Sequence, residues 1–162
     1  GKYWICKRAP AFVNEAQECL GGAGYVEESI LPRLYRQAPL NSIWEGSGNI
    51  QCLDVLRALA NEPGSGAALL AELAAASGID ADFDGVLHDA RTQLLRGVDE
   101  AGARACVERL ALLLQAAILL RAGHPLARGY CRSRLGAGRG TTYGTLASSI
   151  DGDAAIARIF AD

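Results

Sequence analysis

The sequence predicts an all-α protein, a helical bundle. Three observations point there. Ala, Leu, Arg and Glu dominate, and these residues enter helices at little conformational cost. Alternating runs of β-branched residues, the mark of half-buried strands, are missing. Apolar residues also recur at helical spacing, most clearly Cys106, Leu110, Leu113, Ala117 and Leu120, opposite Arg104, Glu108 and Gln115.

The elements follow in order. A first helix is expected over roughly Lys2 to Leu20, with Ile5, Phe12, Ala16 and Cys19 near one stripe. Pro10 should kink it or open a new first turn, and Gly21-Gly22 should end it. A short helix is expected near Glu28 to Gln37, then a loop from Ala38 to Trp44. The next helix runs from about Ser47 to Ala60, with Ile50, Leu53, Leu56 and Ala60 on one face. Glu62-Pro63-Gly64-Ser65-Gly66 reads as the clearest break, preferred here as a connection within one helical unit. Beyond it come an Ala-rich helix (Ala67 to Ala76), one from about Ala81 to Arg96, and the strongest from Arg104 to Arg121. His124-Pro125 ends that one and starts another to about Leu135. Gly136 to Gly144 is glycine-rich, and Asp151 can cap a last helix reaching Phe160.

Composition narrows the function. Half of the 162 residues are hydrophobic, 21% are charged and the net charge is −2, an ordinary globular balance. The longest apolar run, Leu110 to Leu120, is interrupted by Gln115 and falls short of the ~20 residues a membrane span requires. The five cysteines are widely spaced with no C-x-x-C pair, which predicts no metal site and free thiols in a reducing cytoplasm. There is no Met, and the first residues already read as the inside of an element. Both features predict a piece of a longer protein.

Two segments are not explained by packing. In Glu18-Cys19-Leu20-Gly21-Gly22-Ala23-Gly24-Tyr25 a helix end runs into three glycines. Such a turn lets backbone N–H groups approach an anion such as pyrophosphate, or serves only as a helix cap and turn. It lacks the G-x-G-x-x-G spacing and a preceding strand, so a Rossmann site is not supported. The other is Ile43-Trp44-Glu45-Gly46-Ser47-Gly48-Asn49-Ile50-Gln51. A capping box Ser42-x-x-Glu45 would put Gly46 and Gly48 in the first helical turns, where each costs about 1 kcal/mol relative to Ala. A start at Ser47 leaves Glu45 in an irregular segment, where Trp44 would withdraw water from the carboxylate and make it a better base.

These motifs carry a resemblance. Leu20 to Tyr25, then Leu34-Tyr35-Arg36, then Trp44 to Gln51 resemble the C-terminal helical domain of the acyl-CoA dehydrogenases. That family carries a Gly-Gly-x-Gly-Tyr/Phe turn, a Tyr-Arg-Asp segment and a Tyr-Glu-Gly-Thr-x-x-Ile-Gln signature in this order, over a stretch like residues 2 to 60. Val26 to Arg33, Asn41 to Ile50 and Cys52 to Arg57, with the hundred-odd residues after Leu59, are similar to the AidB-like alkylation-response branch.

The resemblance implies a helical bundle over 1–62 with an additional C-terminal helical extension over 63–162, the two forming one structural unit, and with it a cofactor and a chemistry. Glu45 matches the base that removes the α-proton of an acyl-CoA thioester while a hydride leaves the β-carbon for FAD. Its backbone N–H would help hold the thioester carbonyl, and Trp44, in place of the usual Tyr, would wall the acyl pocket. Gly46, Ser47 and Asn49 match flavin-contacting positions. Gly21 and Gly22 match the turn that covers the dinucleotide of a neighbouring subunit. Glu18 stands where the family usually has Gln, and an acidic group there would repel pyrophosphate. A homo-oligomer, tetrameric in the whole protein, is implied. The electron acceptor is left unspecified, and the fragment alone is expected to be inactive.

The branch implies a further partner, double-stranded DNA. Arg121, Arg128, Arg132, Arg134 and Arg139 occur with no Asp or Glu among them, and Arg57 matches a basic position implicated in the branch. Arginines on one face could neutralise phosphates. The blander alternative is a solvated helix face that pairs with the acidic stretch Asp80 to Asp89.

Overall fold

A computed structural model of the chain describes residues 1–138, 140–146 and 150–160, with the side chains of Pro63, Arg158 and Ile159 excepted. Arg139, one of the arginines considered above, lies outside the described residues. The described residues form helices joined by turns and contain no strand. The all-α expectation is met.

The helices are α1 (Lys2–Cys19), α2 (Gly22–Tyr25), α3 (Leu31–Gln37), α4 (Gly48–Asn61), α5 (Pro63–Ala74), α6 (Ala81–Arg96), α7 (Ala103–Arg121), α8 (Ala127–Arg134) and α9 (Gly152–Ile159). A 3-10 helix, Ala38–Ser42, follows α3. Two compact units result. The first comprises Gly1–Ala60 with Asp99–Glu108; the second comprises Asn61–Val98 with the described residues from Arg109 onward.

In the first unit, α1 packs against α2, α3 and the 3-10 helix. Its core includes Cys52, Ala103 and Val107, with Tyr3, Leu53, Val55 and Leu56 packed around them. Burial, before any charge effect, pushes the Tyr3 phenol and the Cys52 thiol up from their ordinary pKa values. α1 runs unbroken through Pro10, whose missing N–H costs one helical bond without dividing the helix.

The two expected apolar faces of this unit are covered unequally. The α1 stripe is not a core face within this unit: Ile5 is 66% and Phe12 63% exposed. On α4 the buried residues are Gly48 and Cys52; of the expected face, Leu53 and Leu56 pack against the core while Ile50 is 44% exposed. The periodicity marks an apolar face on each helix, and the α1 stripe is the one left exposed in this unit.

The second unit buries Leu73, Ala76, Phe83, Leu87 and Ala90 beside Leu110, Leu113, Ala117, Leu120 and Cys131. Asp80 caps α6 by accepting a 3.1 Å bond from the Phe83 N–H. Asp151 caps α9 as expected, accepting from the Ala154 N–H at 3.0 Å. The expected break over Glu62–Gly66 narrows to Glu62, between α4 and α5, and Pro63 opens α5. Pro63 occupies the first turn, where its missing N–H is no loss, and the Ser65 N–H donates to the Glu62 carbonyl at 2.9 Å. Similarly, the expected loop after Gln37 is partly the 3-10 helix, and α3 begins at Leu31 rather than near Glu28. His124 accepts from the Leu126 N–H at 3.1 Å, a structural role.

Candidate active site

The signature segment forms one exposed turn leading into α4. The 3-10 helix ends at Ser42, whose hydroxyl donates to the Pro39 carbonyl at 3.0 Å. No capping box to Glu45 forms. Glu45 instead sits at φ 51°, the only left-handed non-glycine among the described residues. An L-residue there costs on the order of 1–2 kcal/mol. Gly46 follows at φ 95°, and α4 begins at Gly48.

What holds this turn comes from α1. The Lys2 ammonium donates to the carbonyl of Trp44 and, at 2.9 Å, to the carbonyl of Glu45. It also lies 5.5 Å from the centre of the Trp44 ring. The Trp44 indole N–H reaches Asn41 Oδ1 at 3.4 Å. Gly48 is buried under Tyr3 and Lys7, which ties the first turn of α4 to the same end of α1. Gln51 donates through Nε2 to the Gly46 carbonyl, while its Oε1 is buried without a partner.

The expected shielding of Glu45 by Trp44 is absent: both residues are exposed, Trp44 at 52%. Ser47 and Asn49 are exposed too, and Asn49 Oδ1 accepts from Arg104 Nε at 3.3 Å. Trp44, Glu45, Gly46, Ser47 and Asn49 are thus brought together on one turn.

Gly21 and Gly22 are elsewhere. They follow the far end of α1, whose 18 residues span about 27 Å at ~1.5 Å per residue. Gly21 has φ 58° and, like Gly22, faces open space. Gly24 is the glycine the packing demands, because an added Cβ would lie 2.3 Å from the Gln17 carbonyl oxygen. The buried Gln17 side chain donates back to the Gly24 carbonyl at 3.1 Å. Beside this turn lies a cleft of about 500 Å³ lined by Gln17, Tyr25, Val26, Glu27, Pro32, Tyr35 and Arg36. Arg36 pairs with Glu27, and that hydrogen bond holds the Glu27 carboxyl below its ordinary pKa.

The arginines are partly neutralised. Arg57 pairs with Asp54 at 2.6 Å, and Arg121 pairs with Glu72. Arg128 and Arg132 are exposed one helical turn apart on α8, whereas Arg134 is half-buried. Arg57 belongs to the first unit and the others to the second. The partner of Arg121 is Glu72, outside the acidic stretch Asp80 to Asp89. No group of three or more His, Cys, Asp or Glu suited to a metal occurs among the described residues, and no described helix is long and apolar enough to cross a membrane.

Sequence reasoning missed Lys2, Gln17, Gly24 and Gln51. Gln51 lay in the signature itself and Gly24 in the glycine turn; Lys2 carried no local signal.

Residues 1–60 match the family model described as the acyl-CoA dehydrogenase C-terminal domain. The chain belongs to the acyl-CoA dehydrogenase family. Within that family it is AidB-like. It is 45% identical over 134 residues to the putative acyl-CoA dehydrogenase AidB of Escherichia coli strain K12, a match covering 83% of this chain and 25% of that protein. It is also 48% identical over 56 residues to acyl-CoA dehydrogenase family member 11 of Caenorhabditis elegans, covering 35% of this chain and 9% of that protein. The chain therefore spans a quarter or less of the length of these curated relatives.

Proposed function

We propose that this chain is the C-terminal part of an FAD-dependent acyl-CoA dehydrogenase that desaturates a short or branched acyl-CoA between its α and β carbons, with Glu45 as the base. Residues 1–62 carry the catalytic signature, and 63–162 form the extension. The observation that carries the reading is Glu45 itself. A carboxylate held in left-handed backbone, on an exposed turn pinned from α1, is strain with no evident structural purpose. Strain of this kind concentrates at functional sites.

The residues present fit a flavin dinucleotide. The first N–H groups of α4 have no acceptor within the helix, which suits an anion such as pyrophosphate. The exposed Ser47 hydroxyl and Asn49 amide stand beside them, and Gln51 offers a buried acceptor without a partner. The distance along α1 between Glu45 and Gly21-Gly22 supports the view that the two contribute to different copies of the site in a homo-oligomer. Exposed Ile5, Phe12 and Ile50 supply apolar surface for such an assembly.

Glu45 takes the α-proton onto its carboxylate. Its N–H donates to the thioester oxygen as negative charge gathers there, the moment at which a preorganised donor is most effective. Trp44 borders the acyl chain. FAD, when bound, supplies the acceptor for the hydride that leaves the β-carbon. The test is anaerobic mixing of the full-length flavoprotein with isovaleryl-CoA, following flavin absorbance. Prompt bleaching in wild type that is lost in Glu45→Gln supports the reading; equal bleaching in both refutes it.

A second reading, duplex-DNA contact in alkylation protection, is favoured by one observation: Arg128 and Arg132 are exposed one turn apart on α8. If these side chains neutralise phosphates, Arg128→Ala with Arg132→Ala flattens the log-log dependence of affinity on salt by about 0.9 for each phosphate no longer neutralised. An unchanged slope removes this reading.

A further inference from the structure

We propose that Lys2 is a positioning residue for the dehydrogenation, acting through the backbone of Trp44 and Glu45. The inference rests on the reading of Glu45 as base and of its N–H as the thioester donor.

Lys2 is the first residue of α1, and its ammonium bonds two successive carbonyls, those of Trp44 and Glu45. An exposed lysine is rarely fixed by one hydrogen bond, because the side chain loses much rotamer freedom. Here one ammonium satisfies two acceptors and approaches the Trp44 ring. Two neighbouring carbonyls can converge on one donor only if the chain turns sharply between them. Glu45, at φ 51°, supplies that turn. The bonds to Lys2 therefore offset the cost of the left-handed conformation and fix the origin of the Glu45 side chain.

The second consequence is electronic. The Trp44 carbonyl and the Glu45 N–H belong to the same peptide group. A charged donor on the oxygen draws electron density toward it and makes the N–H at the other end a stronger donor, as linked hydrogen bonds reinforce one another. That N–H is the one assigned to the thioester oxygen. Lys2 thus contributes to the site without touching substrate, and its effect grows as charge develops on that oxygen. Tyr3 and Lys7, which lie over Gly48, keep the same end of α1 fixed on the start of α4.

The experiment compares wild type, Lys2→Met, Lys2→Arg and Glu45→Gln in the full-length flavoprotein, by stopped-flow flavin reduction with isovaleryl-CoA. Alongside it, the Glu45 amide proton resonance is measured in wild type and both Lys2 variants. Lys2→Met should lower the limiting reduction rate about 10- to 100-fold, somewhat less than direct loss of an oxyanion donor, with a much smaller change in the substrate concentration at half-maximal rate. The Glu45 amide should move upfield in Lys2→Met, and Lys2→Arg, which keeps a charged donor, should recover both rate and resonance. Reduction by Lys2→Met at the wild-type rate, with Glu45→Gln inactive, overturns the role of Lys2 alone. A slow Lys2→Met that Lys2→Arg does not rescue, with the Glu45 amide unmoved, also overturns it and leaves a merely structural contact. Full activity in Glu45→Gln overturns the reading beneath it.

Discussion

Glu45 sets a stability cost against a proposed chemical role at a single residue. Its left-handed backbone would be relieved by glycine, which adopts φ 51° freely but adds entropy to the unfolded chain. Glu45→Gly should therefore raise stability by about 0.5–1 kcal/mol in denaturant titration while removing the proposed base. Gly24 behaves oppositely. Gly24→Ala drives a methyl group into the Gln17 backbone and should cost about 1–3 kcal/mol, whereas Gly22→Ala enters open space and should leave the melt unchanged. Cys131 supplies a pH dependence. Burial foremost, then the Asp80 carboxylate that it hydrogen-bonds, pushes its thiol from the ordinary 9.0 up to about 12. The unfolded thiol ionises first as pH rises, so its contribution is whole below about pH 9 and is lost on the way to pH 12. Cys52 and Tyr3 shift in the same direction. Unfolding midpoints of Cys131→Ala should consequently fall less steeply over that window than those of wild type; parallel curves would contradict the assignment. Of these residues Glu45 was legible in the sequence, since it stands in a recognisable signature beside glycines. Gly24 was outshone by its neighbours Gly21 and Gly22, because a close backbone approach to Gln17 leaves no mark in composition.

Among the elements, periodicity and caps were legible where local chemistry decided the outcome. The α7 stripe is buried as expected, and Asp151 caps α9. The α6 cap, Asp80, does more than close a helix, because it also faces Cys131 on α8. Asp80→Ala should cost about 1 kcal/mol through the lost cap, and Asp151→Ala a similar amount confined to α9; amide exchange across the two helices distinguishes them. The α5 start was misread because Pro and Gly near Ser usually break helices, yet Pro is also favoured in a first turn. The stripes of α1 and α4 were legible as apolar, yet Ile5, Phe12 and Ile50 are exposed while Leu53 and Leu56 pack on the core. Periodicity says that a face seeks cover and is silent on what covers it. Lys2 was illegible for a related reason, since its partners lie more than forty residues along the chain.

At the scale of the whole molecule there are two compact units: the first contains the candidate site, the second the arginines of α8. The 162-residue chain alone should not hold FAD at stoichiometric level, since it spans a quarter or less of its curated relatives, and equilibrium dialysis checks this. Its exposed apolar residues should drive self-association, visible by light scattering as a mass above 17.0 kDa. The central claim is that Glu45 removes an α-proton. The most direct measurement is deuterium incorporation from D2O at the α-carbon of a 3-thia-acyl-CoA, which has sulfur at the β position and so cannot release a hydride. The full-length protein should exchange that position and Glu45→Gln should not. Equal exchange in the two would assign the proton to another group and leave Glu45 a strained residue without its chemistry.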